Sequence, residues 1–275
     1  MRGGVARVAR LLFFLLVLAT GGLGACGEPV ATPEPVFLQV AGSTSMYQLA
    51  SDLAAAYTEQ SPLTDIEVLG QGTQFGLNEL ADGRADLALA SWLPVDLDER
   101  WQATAIARDG IAIIVHQTND VAGLGLLQLQ DLFSGSVHEW AGVGGASAQG
   151  EVQVVSREAG SGTRDAFEAL VMGERRVTPL AVVVPSSGAV VEYVATHPNA
   201  IGYVSMGMIL PTVKVLSIEG EMPTPQTAQQ GSYPLTRQLW LVAAASPTDS
   251  VVAFRRFALS PAGQQVVGQS LGRIR

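Results

Sequence analysis

Small residues rich in hydroxyl groups recur at three points where a short apolar segment gives way to a helical pattern. They are residues 42–45 (GSTS), 70–73 (GQGT) and 160–163 (GSGT). At the start of a helix the first backbone N–H groups have no partner within the helix, and the helix dipole adds partial positive charge. One such segment is typical of an ordinary N-cap. Three of them in one chain indicate a site for a single oxyanion.

Two arginines flank the third segment and could balance the charge of an oxyanion. Arg157 ends a predicted strand, and Arg164 lies inside the predicted helix that follows. A guanidinium presents a planar set of N–H donors that matches the geometry of an oxyanion. The alternative is that both arginines form ion pairs with Glu158 or Asp165, which is the more natural reading for Arg164. Arg157 is therefore the stronger candidate ligand.

These segments need a scaffold that brings them together, and the hydrophobic pattern predicts one. In the first part of the chain, predicted strands alternate with helices in the order β-α-β-α-β, which implies a parallel sheet with helices on its faces. The strands are predicted at residues 36–40, 66–69 and 86–90, and the helices at residues 46–60 and from residues 71–74 through Leu80.

The same alternation continues to the end of the chain. It predicts two α/β lobes with a boundary near Thr118 and a return within residues 220–232. Ligands of such folds bind at the carboxyl ends of the strands. Further strands are predicted at residues 111–115, 152–155, 182–184 and 201–204 and within 233–244, and further helices at residues 127–133, 161–172, 189–196, 249–259 and 261–271.

The first 35 residues have the pattern of an export signal followed by a tether. Three arginines precede an apolar run at residues 11–19, which is too short to span a bilayer. The run ends near Leu23-Gly24-Ala25-Cys26, which resembles a bacterial lipobox. We therefore expect a signal peptide at residues 1–25, lipidation of Cys26 and a proline-rich tether at residues 26–35. The alternative is an ordinary secretory signal followed by an incidental cysteine.

Composition excludes several classes of function. With 16 basic and 25 acidic residues the net charge is −9, so the chain lacks the basic surface of a nucleic-acid-binding protein. Its single lysine, Lys214, fits no phosphate-binding G-K-[ST] loop. One cysteine rules out an intrachain disulfide, and the three histidines match no zinc-ligand spacing. We expect no metal and no cofactor.

Residues 156–168 (SREAGSGTRDAFE) resemble the hallmark segment of phosphate-binding proteins of ABC transporters, within the periplasmic-binding-protein superfamily. The resemblance extends in order over residues 37–275. It implies a type II-like fold with two lobes and a ligand cleft between them. Further matching segments are GSTS, GRADLALAS, NDVAGLGLLQLQDLFSGSVHEWAGVGG, HPNAIGYVSMG and YPLTRQLWLV.

Carried over by motif, the resemblance implies phosphate ligands from several loops, and two of these loops depart from the family pattern. The second loop contains Gln71 and Thr73 where the family usually has Gly-Ser-Gly. After the third strand, Ser91-Trp92 replaces Ser-Arg or Ser-Asp, which leaves the preference for phosphate over sulfate open. The phosphate ligands expected are Ser43, Thr44, Ser45, Gln71, Thr73, Ser91, Arg157, Ser161, Gly162 and Thr163.

The resulting prediction is an extracytoplasmic lipoprotein that binds phosphate and delivers it to an ABC transporter permease. The first lobe would comprise residues 36–117 and 231–275, and the second lobe residues 118–230. The protein would be a monomer anchored by its lipid at the cell surface or in the periplasm, and not an enzyme. Alternatives are a binder or sensor of tungstate, sulfate or another tetrahedral oxyanion. A more remote one is an enzyme with a nucleotide cofactor, for which residues 70–76 offer only a loosened G-x-G-x-x-G pattern.

Overall fold

The structure, a computed structural model, describes residues 34–145 and 150–274. Of these, residues 35–145 and 150–274 belong to one compact unit. The predicted signal peptide, Cys26 and the tether up to residue 33 lie outside the described residues. In the part of the chain that is described, no helix is both long and apolar enough to cross a membrane.

Most strands belong to one mixed sheet. Its order is β2-β1-β3-β10-β4-β8-β6-β7, and β9 pairs with β4 and with the short β5. The strands are β1 (Val36–Gly42), β2 (Thr64–Gly70), β3 (Leu87–Ala90), β4 (Trp101–His116), β5 (Gly123–Leu124), β6 (Gln153–Arg157), β7 (Val182–Val184), β8 (Ala200–Ser205), β9 (Val213–Ile218) and β10 (Thr236–Ala244).

Strand β4 divides the sheet into two halves. Its residues 101–110 pair with β10, and its residues 111–116 pair with β8 or β9. We call β1, β2, β3, β10 and residues 101–110 the first half-sheet. The second half-sheet comprises residues 111–116 with β6, β7, β8 and β9. The parallel pairing of β1 with β2 and β3 confirms the predicted β-α-β-α-β order.

The helices cover the faces of the two half-sheets. Those that follow β1, β2 and β6 begin at or next to the three hydroxyl-rich segments. The helices are α1 (Tyr47–Gln60), α2 (Thr73–Ala81), α3 (Leu126–Ser134), α4 (Gly162–Phe167), α5 (Ser187–Thr196), α6 (Pro225–Gln230), α7 (Asp249–Ala258) and α8 (Pro261–Val267). A π-helical turn (Glu168–Met172) extends α4, and short 3-10 turns occupy Trp140–Val143 and Met206–Met208.

The structure corrects the sequence-based elements in three places. Strand β4 begins ten residues earlier than the predicted strand at residues 111–115. Strand β9 and helix α6 were not predicted. The predicted helix at residues 161–172 is α-helical only to Phe167 and then widens into the π-helical turn.

Two large buried clusters and one small one stabilise these elements in the described part of the chain. The larger one joins Leu38 and Leu239 of the first half-sheet to Val155 and Val204 of the second, and helices α1, α5, α7 and α8 pack against it. The second large cluster lies around the second half-sheet and includes Phe167, whose ring stacks on Tyr203 at a centroid distance of 4.2 Å. The small cluster packs α2 against β3 and β10. The half-sheets therefore provide a rigid frame for the loops at the carboxyl ends of their strands.

Candidate functional site

Hydroxyl side chains and one arginine from four strand ends meet in the interior of the protein. The loops after β1, β2, β3 and β6 supply them, as expected for ligands at the carboxyl edge of a parallel sheet. Each of these side chains is at most 5% exposed. Protein interiors are mostly filled by apolar side chains, so a buried cluster of polar groups is unusual. They are Ser43, Ser45, Thr73, Ser91, Arg157, Ser161 and Thr163.

The hydroxyl groups of the first half-sheet form a connected chain. Ser43 Oγ lies 2.9 Å from Ser45 Oγ and donates to Ser91 Oγ at 2.9 Å. Ser91 Oγ lies 3.3 Å from Thr73 Oγ1, which also accepts the Ser91 backbone N–H at 3.2 Å. Buried hydroxyls require partners, and here they satisfy one another. The chain forms a patch of adjacent groups, each able to donate one hydrogen bond.

The third segment packs directly on this patch. The backbone N–H of Gln74 donates to the Gly160 carbonyl at 3.2 Å. A Cβ atom on Gly162 would lie 2.7 Å from Ser91 Oγ and 3.0 Å from the Trp92 backbone nitrogen. Only a residue without a side chain permits this approach. The glycine therefore brings the start of α4 against the loops of the first half-sheet.

Arg157 is almost fully buried at the end of β6, with 1% exposure. Its Nε and Nη2 atoms donate to the two carboxylate oxygens of Glu158 at 2.9 and 2.7 Å. Nη1 donates to Ser187 Oγ at 3.1 Å, and Ser187 Oγ lies 3.3 Å from Thr44 Oγ1. Arg157 therefore forms the ion pair considered from sequence, but its guanidinium is buried and is linked to Thr44 through Ser187.

Tyr203 fixes the backbone at Arg157. Its hydroxyl oxygen accepts the Arg157 N–H at 3.3 Å and lies 2.8 Å from Ser156 Oγ. Burial raises the pKa of Tyr203 to about 12, so its hydroxyl stays neutral at physiological pH. The ring stacking on Phe167 and these hydrogen bonds together set the direction in which Arg157 leaves the strand.

One predicted ligand lies outside the buried cluster, and two residues at the start of α4 have partners within their own helix. Gln71 is exposed and its backbone N–H donates to the Gly42 carbonyl at 2.8 Å, so its side chain is not part of the buried cluster. Arg164 is partly exposed and pairs with Glu168 at 2.7 Å, not with Asp165. Ser161 caps its own helix by accepting the Arg164 N–H at 3.4 Å.

Sequence reasoning missed three residues that complete the site. Arg237 on β10 donates to Thr163 Oγ1 at 3.1 Å and to the Asp109 carboxylate at 2.8 Å. A charged residue inside an otherwise apolar strand needs a buried partner, and this rule could have identified Arg237 and Asp109 from the sequence. Ser187 carried only the weak signal of a hydroxyl residue near a helix start.

The arrangement is suited to holding an anion. Its hydroxyls and guanidinium N–H groups converge from both half-sheets, and the carboxylates of Glu158 and Asp109 are both engaged by arginines. Within residues 34–145 and 150–274, no group of three or more His, Cys, Asp or Glu side chains is arranged to hold a metal ion.

Comparison with known proteins identifies relatives over nearly the whole chain. Residues 29–262 match the family model of the PBP superfamily domain. The phosphate-binding protein PstS of Pseudomonas aeruginosa is 31% identical and covers 93% of this chain and 92% of its own length. PstS of Borreliella burgdorferi is 22% identical over 94% of this chain and 96% of its own.

Solved structures give the same answer. A putative phosphate ABC transporter substrate-binding protein from Clostridium perfringens, solved with bound phosphate, has a TM-score of 0.81 and 31% identity, covering 87% of this chain and all of its own. An ABC-type phosphate transport receptor from Vibrio cholerae has a TM-score of 0.71 and 30% identity, covering 86% and 99%. The expected two-lobed α/β fold is confirmed, and the chain belongs to the PBP superfamily and, within it, to the PstS family of phosphate-binding proteins.

Proposed function

We propose that this chain is an extracytoplasmic substrate-binding protein that captures inorganic phosphate between two lobes and delivers it to an ABC transporter permease. The observation that carries the proposal is the burial, at the ends of strands from both half-sheets, of the hydroxyls of Ser43, Ser45, Ser91 and Thr163 together with the guanidinium of Arg157. The phosphate-bound relative from Clostridium perfringens supports phosphate as the ligand. In this role the protein binds and releases its ligand unchanged and is not an enzyme.

Hydrogen-bond donors, rather than net charge, would hold the ion. Glu158 offsets the charge of Arg157, and Asp109 offsets that of Arg237, so the paired side chains contribute little net positive charge. Buried hydroxyl and N–H donors stabilise an anion without charge of their own. They also favour ligands whose oxygens accept in several directions, as those of a tetrahedral oxyanion do.

The half-sheets support the proposed lobes at residues 36–117 with 231–275 and at residues 118–230, except that residues 111–116 of β4 belong to the second half-sheet. Donors from both sides meet in the structure: Ser187 contacts Thr44, and Gly162 lies against Ser91. A protein that holds its ligand in this way must open to exchange it. The segments that connect the two half-sheets are β4, near Gly110, and the residues between α6 and β10, so bending would occur there.

Isothermal titration calorimetry of the purified protein against phosphate, sulfate and tungstate tests the proposed function. We expect phosphate to bind with a stoichiometry of about one, as one shared site requires. Absence of binding by phosphate at saturating concentrations, in a sample shown to be folded, would contradict the proposal. Binding of tungstate or sulfate alone would replace phosphate as the ligand and leave the oxyanion site in place.

Phosphate affinity should rise as the pH is raised from about 6 to about 8, the range around the second ionisation of a phosphate group. Dihydrogen phosphate carries one more P–OH group than monohydrogen phosphate and needs one more acceptor. The carboxylates of Glu158 and Asp109 are both occupied by arginines. Sulfate does not titrate in this range and is the matched control, with an unchanged affinity. Tighter phosphate binding at the lower pH would show that a carboxylate accepts from the ligand.

A lipid at Cys26 is expected to hold the protein on the membrane. The cysteine follows Leu23-Gly24-Ala25 behind a basic and then apolar segment, the order of an export signal. Cys26→Ser should abolish lipid labelling and release the protein from the membrane fraction. Unchanged labelling and membrane association in this variant would rule out the anchor.

A further inference from the structure

A buried ion pair lies directly behind the candidate ligands, at the junction of the two half-sheets. Arg237 on β10 and Asp109 on β4 are register partners in the antiparallel ladder, and both side chains are fully buried. Two residues further along β4, at Ile111, the pairing partner changes from β10 to β8. The pair therefore occupies the position at which the first half-sheet joins the second.

Asp109 holds the guanidinium in a single orientation. Its Oδ2 atom accepts from Nε and Nη2 of Arg237 at 2.9 and 2.8 Å. Its Oδ1 atom accepts from Ser205 Oγ at 2.8 Å and from the Met206 N–H at 3.1 Å, both at the end of β8. Burial raises the pKa of Asp109, and these four donors oppose that rise by favouring the carboxylate. The carboxylate thus anchors Arg237 to both half-sheets.

The other side of the guanidinium faces two of the candidate loops. Nη2 donates to Thr163 Oγ1 at 3.1 Å and to Ser45 Oγ at 3.4 Å, and Nη1 donates to the Gly162 carbonyl at 3.2 Å. Ser45 follows β1 in the first half-sheet, whereas Gly162 and Thr163 follow β6 in the second. One side chain therefore contacts ligand loops from both sides of the site.

These contacts decide the direction of the hydroxyl hydrogen bonds. A hydroxyl has one O–H donor and two acceptor lone pairs. Because the guanidinium can only donate, the oxygens of Thr163 and Ser45 must act as acceptors toward Arg237. Their hydrogen atoms then point away from the guanidinium, so that the O–H of Thr163 is free to donate into the site.

We propose that Arg237, fixed by Asp109, is a positioning residue that makes Thr163 a donor toward the oxyanion and joins the two lobes behind it. The proposal rests on the proposed function and assigns these residues a part in it. Because the ion pair is neutral as a unit, Arg237 acts through the orientation of the hydroxyls and not by attracting the anion.

A double-mutant cycle tests this role separately from any effect on folding. Thr163→Val removes one neutral hydrogen bond and should weaken phosphate binding about fivefold to tenfold in the otherwise unchanged protein. In the Asp109→Asn/Arg237→Gln background, which keeps a neutral hydrogen-bonded pair, phosphate affinity should already be at least about tenfold lower. Thr163→Val should then cost less than about twofold, because its hydroxyl is no longer oriented. Calorimetry on the folded fraction measures each value.

Tyr233→Phe is the matched control for a general loss of stability. It removes a buried hydrogen bond from the Tyr233 hydroxyl to the Ile111 carbonyl, 2.8 Å long, near the same strands. This variant should lower the melting temperature while phosphate affinity and the cost of Thr163→Val stay unchanged. If the neutral double variant does not fold, Asp109→Leu/Arg237→Met replaces it, since an apolar pair of similar size removes every donor to Thr163 and the same loss of the Thr163→Val effect is expected.

The outcomes separate this inference from the proposed function. An equal cost of Thr163→Val in both backgrounds, with phosphate bound by the unchanged protein, would overturn the role of Arg237 alone. Failure of the unchanged protein to bind phosphate or any other oxyanion would overturn the proposed function instead. A smaller cost in the altered background supports the inference.

Discussion

Replacing Arg157 with alanine is expected to weaken phosphate binding by at least about 100-fold. Hydrogen bonds from a charged group contribute roughly 1.5–3 kcal/mol each, and about 1.4 kcal/mol corresponds to a tenfold change in affinity. The variant also leaves the Glu158 carboxylate, whose side chain is 33% exposed, without its cationic partner beside the site. That uncompensated negative charge would repel the anion and add to the loss. Calorimetric titration with phosphate measures the effect.

Two matched variants separate the contribution of the guanidinium from that of the exposed carboxylate. Arg164→Ala removes the same side chain seven residues further along, where it pairs with Glu168 and donates to the Arg157 carbonyl at 2.9 Å. It should cost much less affinity than Arg157→Ala. Arg157→Ala/Glu158→Ala should recover part of the loss, since the repulsive charge is gone. An affinity of Arg157→Ala within about threefold of the unchanged protein would remove Arg157 from the site.

Much of the candidate site could be predicted because its residues lie in short segments with a recognisable composition. The hydroxyl-rich residues that follow β1 and β6 are unusual for turns in their combination of glycine with several small donors. Ser43, Ser45 and Thr163 are buried together as predicted, because parallel strands place their carboxyl ends at one edge. The order of strands and helices in the first half-sheet follows from the same alternation of patterns.

Most of the features that could not be predicted from the sequence depend on pairing between residues far apart in the chain. The first ten residues of β4 include Gln102, Arg108, Asp109 and Gly110, which interrupt an apolar pattern and mask the strand. Asp109 and Arg237 are separated by 128 residues, and only the ladder between β4 and β10 brings them into contact. Gln71 shows a different limit of the sequence pattern. It lies in the second hydroxyl-rich segment, as expected, but its backbone N–H donates to the Gly42 carbonyl and the residue is exposed.

A methyl group on Gly162 is expected to weaken phosphate binding by about 10-fold to 100-fold without unfolding the protein. Its Cβ would lie 2.7 Å from Ser91 Oγ and 3.0 Å from the Trp92 nitrogen. Overpacking of this kind typically costs about 1–3 kcal/mol, and about 1.4 kcal/mol is a tenfold change in affinity. The clash exists only when the third segment rests on the first half-sheet. The open protein would tolerate alanine, because Gly162 is the first residue of α4 and is not among the glycines with positive φ.

Gly188→Ala is the matched control, since Gly188 is the second residue of α5 and its Cβ would meet only Ser186 Oγ, at 3.9 Å. Both variants should keep the melting temperature of the unchanged protein in the absence of ligand. With saturating phosphate, solution scattering should show a decrease in radius of gyration for the Gly188→Ala variant and a smaller decrease, or none, for Gly162→Ala. If Gly162→Ala binds phosphate as tightly as Gly188→Ala, the contact between the third segment and Ser91 is not required for ligand capture. The site would then be completed by Arg157 and the loops of the first half-sheet, with the lobes free to remain apart.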